Sequence, residues 1–122
     1  MLKTSLGLLV AALLTPPANA WSAVTIQSCY DGDTCRSTAG ERIRLACIDT
    51  PERGQPGAAA ATQSTRSMVV GQLVGIRRIT QDRYGRTIGE LYGPQGNVGQ
   101  QLVAQGHARI YRRYAFQCPW AR

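Results

Sequence analysis

The sequence concentrates its chemically active side chains in four short segments. These are Asp31-Gly32-Asp33-Thr34, the lone Arg44, Asp49-Thr50-Pro51-Glu52, and Asp82-Arg83-Tyr84-Gly85-Arg86. Two carboxylates held side by side repel unless a cation or a proton lies between them. With Asp33 and Asp49 paired, Glu52 close by and a backbone carbonyl at Thr50, the donor set is all oxygen. Hard oxygen ligands select Ca²⁺ or Mg²⁺ over Zn²⁺. Arg44 and Arg86 suit a phosphate, because a planar guanidinium binds two oxygens at once and offsets charge that grows at phosphorus. Glu52, three residues beyond Asp49, can reach a water and act as a general base or align it. Each segment alone reads as an ordinary turn or loop. Together they point to metal-assisted attack on a phosphodiester.

Such a site needs strands that end near one another. Residues 21–30 (WSAVTIQSCY) are rich in β-branched side chains, and Asp31-Gly32 is a hairpin signal. Thr34–Ser37 continues as a second strand, and Arg42–Ile48 alternates charged and apolar residues as a third. Arg44 and Asp49 stand five apart, on opposite faces of a regular strand, so that strand must end or twist before Asp49. Thr50-Pro51 supplies a break. Ala58–Val70 has helical composition, with Ala61, Thr65 and Met68 on one face and Gly71 as its stop. Leu73–Thr80 and Thr87–Tyr92 are two further strands around the Asp82–Arg86 turn. A turn at Pro94-Gln95-Gly96 precedes Asn97, which caps a short helix over Val98–Gln105. His107–Tyr114 is extended or irregular. His107, the only histidine, is a structural residue after that helix. The order predicts a mainly β fold: a five-stranded Greek-key barrel of the OB type, its helix between strands 3 and 4.

With 122 residues the chain suits one domain. No apolar run reaches the roughly 18 residues that span a bilayer. Residues 1–20 read as a signal peptide: Lys3, an apolar stretch from Leu6 to Leu14, then Ala18-Asn19-Ala20 with cleavage after Ala20. The expected mature protein, residues 21–122, is secreted or periplasmic, holds no membrane and is a monomer. Its basic residues are 13 arginines against 7 acids, a net charge of +6 that favours an anionic partner. The four cysteines suit disulfides in an oxidising compartment. Cys29 and Cys35 flank the first hairpin and can face each other, which would leave Cys47 with Cys118; two other pairings stay open.

The set DGDT, RLACIDTPE, DRYGR and NVGQQLVAQGHARIY resembles the thermonuclease family, the staphylococcal-nuclease-like OB-fold nucleases, over about residues 23–114. The resemblance implies Ca²⁺-dependent hydrolysis of DNA and RNA, single-stranded or frayed, breaking the P–O5′ bond and leaving 3′-phosphates. It implies that Asp33 and Asp49 bind Ca²⁺ through carboxylates and Thr50 through its carbonyl. Glu52 would be the general base or water-positioning residue, and Arg44 and Arg86 the phosphate clamps. Arg83 and Tyr84 would meet the nucleotide, with Arg112, where the family has a tyrosine, and Tyr114. The chain departs from the family after Tyr114, where a C-terminal helix has no counterpart and a disulfide would take over its clamping. Two rival functions also fit a basic OB-like chain: a non-catalytic nucleic-acid-binding module, and an exported domain that binds polyanions. The first would lack one of Asp33, Arg44, Asp49, Glu52 or Arg86, and none is missing. The second would bind in a salt-sensitive way without forming product.

Overall fold

The structure, a computed structural model, describes residues 21–122; the signal peptide read at 1–20 lies outside the described residues. Strand β1 (Ser22–Asp31) turns at Gly32-Asp33 into β2 (Thr34–Ser37), which pairs antiparallel with β3 (Arg42–Leu45). The other edge of β1 pairs with β5 (Leu73–Gln81), and β5 with β6 (Thr87–Gly93). Parallel pairing of β3 with β6, Arg44 opposite Ile88, closes the barrel in the order β3-β2-β1-β5-β6. This is the predicted five-stranded architecture. Helix α1 (Ala58–Val69) lies between strands 3 and 4 of the barrel, as expected. It buries Ala58, Ala61, Thr65 and Val69, a single face at helical spacing. Met68 packs at the margin of that face rather than within it.

The third strand is shorter than its alternation suggested. It stops at Leu45, not Ile48, and the break precedes Thr50-Pro51. Ala46 donates its N–H to Gly89 O at 2.8 Å, and Cys47 adopts a left-handed φ of 71°. A non-glycine residue in that region carries strain that its surroundings must hold. Here Cys47 is bonded to Cys118, and its carbonyl accepts the Tyr111 N–H at 2.8 Å. The chain then re-enters as β4 (Ile48–Asp49), paired with β8 (Arg109–Ile110). Between them, β7 (Gly96–Asn97) forms a small hairpin with β6, where the sequence suggested only a turn. Asn97 then caps α2 (Val98–Ala104), its Oδ1 accepting the Gln100 N–H at 2.9 Å.

Ile26, Ile43, Leu45, Ile48, Ile76, Leu91 and Leu102 fill the barrel. A smaller apolar cluster lies under the C-terminal segment, where Ala46 and Cys47 meet Ala115, Cys118 and Ala121. That segment forms two 3₁₀ turns, Arg112–Gln117 and Pro119–Ala121, and Trp120 touches both clusters. Of the three possible pairings the structure forms Cys29–Cys35 and Cys47–Cys118, leaving no free cysteine among the described residues.

Candidate functional site

The first hairpin aims Asp33 inward. Its backbone N–H bonds to Asp31 Oδ1 at 3.1 Å, and its carbonyl accepts the Leu45 N–H at 2.8 Å. Asp33 is 6% exposed; Oδ2 accepts the Thr50 N–H at 3.1 Å and Oδ1 the Thr34 hydroxyl at 3.3 Å. The hairpin docks on α1 through Thr65 Oγ1, which donates to Gly32 O at 2.7 Å. Gly32 is needed for this approach, since a Cβ there would stand 2.8 Å from Thr50 Cγ2. Burial pushes the Asp31 carboxyl above the usual range, and the neighbouring Asp33 charge and hydrogen bond add to that rise.

The break at Cys47 resolves the problem of opposite faces. Arg44 Nη2 lies 2.9 Å from Asp49 Oδ1 and 3.4 Å from Asp33 Oδ2, so one guanidinium bridges the two acids. Arg44 Nη1 donates to the carbonyls of Leu45 and, at 2.9 Å, Ile48. Asp33, Arg44, Asp49 and Thr50 thus form one polar cluster. Glu52 stands apart from it: exposed, just past Pro51, with its side chain free of hydrogen bonds among the described residues. Its backbone carbonyl closes a turn with the Gln55 N–H at 2.9 Å.

Arg44 also lines a cleft of about 750 Å³ together with Arg86, Arg83 and Tyr84. Asp82 organises the turn: Oδ1 accepts the N–H groups of Tyr84 and Arg86, and Oδ2 accepts Arg86 Nε at 2.7 Å. Burial pushes the Asp82 carboxyl up, but these bonds and the Arg86 charge outweigh it and hold it below the usual range. Fixing Nε in this way leaves the terminal nitrogens of Arg86 without a hydrogen bond among the described residues. Tyr84 is 60% exposed, with Arg83 and Arg86 over its ring at 5.0 and 5.8 Å. On the opposite wall stand Tyr111, Arg113, Tyr114 and Gln117. Of the two arginines in that stretch, Arg113 lines the cleft and Arg112 does not. Tyr111 and Arg113 escaped the sequence reading; the pattern YRRY was their only signal.

This is a cleft walled by guanidinium and phenol groups, with a pair of carboxylates at its rim. The staphylococcal nuclease homologue family matches residues 42–119, more than half of the chain. An Escherichia coli O157:H7 protein described as an uncharacterized endonuclease is 41% identical over 88 residues, covering 69% of this chain and 58% of that protein. A Shigella flexneri protein described as a micrococcal nuclease is 33% identical over 117 residues, covering 86% and 67%. A Haemophilus influenzae protein, also described as an uncharacterized endonuclease, is 30% identical over 119 residues, covering 94% and 66%. The chain belongs to the staphylococcal nuclease-like family. It spans 58% of the first of these relatives.

Proposed function

We propose that this chain is a Ca²⁺-dependent phosphodiesterase that hydrolyses DNA and RNA with little base preference and leaves 3′-phosphate ends. The observation that carries the reading is the convergence of Asp33 and Asp49 on one cationic group, at the rim of a cleft holding Arg44 and Arg86. The relatives' descriptions as endonuclease and micrococcal nuclease support the same reaction class.

The site's chemistry fits a hard divalent ion. Two carboxylates already share one positive charge, and Thr50 Oγ1 is a buried oxygen with no hydrogen-bond partner. Among the described residues no cluster of three or more Asp, Glu, His or Cys side chains is gathered, so few protein ligands would leave room for water and substrate. Asp33, Asp49 and Thr50 would hold Ca²⁺, which when bound polarises a phosphoryl oxygen and acidifies water. The chain's own groups do the rest. Glu52 accepts the proton of the attacking water as its oxygen bonds to phosphorus. Arg44 and Arg86 offset the charge that builds on the phosphoryl oxygens. The P–O5′ bond breaks and O5′ departs with a proton from solvent, leaving phosphate on the 3′ side. Arg83, Tyr84 and Tyr114 hold the nucleotide, with Arg113 taking the wall position read from sequence for Arg112. These contacts address phosphate, sugar and ring faces rather than base edges, hence the low selectivity.

The same reading places a signal peptide at 1–20 and a monomeric nuclease domain at 21–122, secreted or periplasmic. Two disulfides support that compartment. The test is incubation of the purified protein with plasmid or single-stranded DNA in Ca²⁺ and then in chelator. Degradation should require Ca²⁺, and Glu52→Gln should lower kcat by about a hundredfold or more while circular dichroism stays unchanged. Equal turnover by the variant would reject the role of Glu52, and turnover in chelator would reject the metal.

A further inference from the structure

Outside the cleft, a second surface pairs an aromatic ring with free cations. Tyr30, at the end of β1, is 64% exposed, and the Arg53 guanidinium lies 4.4 Å from its ring centroid. Arg66, projecting from α1, donates from Nε and Nη2 to Cys29 O, at 3.0 and 2.8 Å, one residue from Tyr30. Neither arginine forms an ion pair among the described residues, whereas Arg44, Arg77, Arg78 and Arg86 all do. A solvation role alone would not gather two unpaired arginines at one exposed ring. An exposed ring with adjacent guanidinium groups is the composition that binds single-stranded nucleic acid, bases stacking on the ring and phosphates meeting the cations.

Location supports this reading. Tyr30 directly precedes Asp31, three residues from Asp33 or roughly 10 Å of strand, and Arg53 directly follows Glu52. The pair is therefore tied to both acidic segments, yet neither residue lines the cleft that holds Arg44, Arg86 and Tyr84. A strand seated in that cleft has the acids at its rim and this ring beyond them.

We infer that Tyr30, with Arg53 and Arg66, forms a second strand-binding subsite that grips single-stranded nucleic acid running out of the cleft. The inference rests on the nuclease reading above. It makes affinity depend on strand length, because a short ligand fills the cleft without reaching Tyr30. Stacking on Tyr30 and phosphate contact at Arg53 act on binding, not on proton transfer at Glu52.

The experiment measures affinity by fluorescence anisotropy in the non-cleaving Glu52→Gln background, with a fluorescent twelve-nucleotide oligothymidylate and a 5′-phosphorylated thymidine dinucleotide. Tyr30→Ala and Arg53→Ala should each weaken the long strand by about fivefold or more. Both should change dinucleotide affinity by less than about twofold. Tyr30→Phe should retain the long-strand affinity, and Arg53→Ala should flatten the salt dependence by about 0.7 in log–log slope. Unchanged long-strand affinity in both alanine variants would overturn the subsite, as would equal losses on both ligands. Failure of the nuclease reading looks different. In that case Arg44→Ala and Arg86→Ala, in the otherwise native protein, would leave DNA cleavage unaltered.

Discussion

Removing the Cys47–Cys118 bond should destabilise the protein about twice as much as removing Cys29–Cys35. The first bond closes a loop of 71 residues, and the second a loop of 6. Chain entropy assigns about 4 kcal/mol to the long loop and about 2 kcal/mol to the short one. All four cysteines are buried, at 3% exposure or less, so the packing lost on truncation is similar for each pair. The difference of about 2 kcal/mol therefore isolates the loop. With about 0.2 kcal/mol/K of unfolding entropy for a domain of this size, the expected drops in Tm are about 20 °C and about 10 °C. Calorimetry of the Cys47→Ala/Cys118→Ala and Cys29→Ala/Cys35→Ala double variants reads both values under one set of conditions. Activity provides a second readout, because the long bond fastens the segment that carries Tyr111, Arg113 and Tyr114. KM for DNA should rise more in the first variant than in the second. Equal melting temperatures, or a larger loss from the short loop, would refute the entropic argument and with it the view of Cys118 as the clamp for the C-terminal segment.

Glu90 is 4% exposed and accepts hydrogen bonds from Trp120 Nε1 at 2.7 Å, Arg77 Nε at 2.8 Å, Asn97 Nδ2 at 2.9 Å and Tyr92 OH at 3.1 Å. Glu90→Leu should cost about 3–5 kcal/mol in urea denaturation, because it strands a buried guanidinium and three further donors. Burial raises the Glu90 carboxyl, but the bonds from Trp120, Asn97 and Arg77 outweigh it, so it sits below the ordinary value of 4.5. A depressed folded pKa contributes stability that is present above the unfolded value and lost as pH falls through the folded one. Glu90→Gln should therefore flatten the acid limb of the stability profile below about pH 4.5, and an unchanged limb would contradict the network. Gly32→Ala places a methyl 2.8 Å from Thr50 Cγ2 and 3.0 Å from Ala61 Cβ. It should cost about 1–3 kcal/mol in thermal melts, and it should lower cleavage rate by displacing Thr50 from Asp33.

The barrel was legible because its signals are local. Asp31-Gly32 marks a hairpin, alternation marks Thr34–Ser37 and the start of β3, alanine content marks α1, and Asn97 caps α2. The pairing of Cys29 with Cys35 follows from the same hairpin, since the two stand directly opposite in its register. The residue types of the acid and arginine segments were legible too, because short polar motifs declare their chemistry wherever they fold.

What lay beyond the sequence depends on which segment covers which. Glu90 sits on a strand where alternation assigns it to the outer face, and only the C-terminal segment bringing Trp120 over it makes it a buried anchor. Arg113 rather than Arg112 reaches the cleft because a 3₁₀ turn, not an extended strand, carries them. Arg44 meets both Asp33 and Asp49 because the left-handed bend at Cys47, held by a bond to a residue 71 positions away, turns the chain between them. Local pattern determined the elements and their chemistry in this protein. Contacts between distant segments decided which side chains meet, because a strand's period says which faces it has but not what is packed against them.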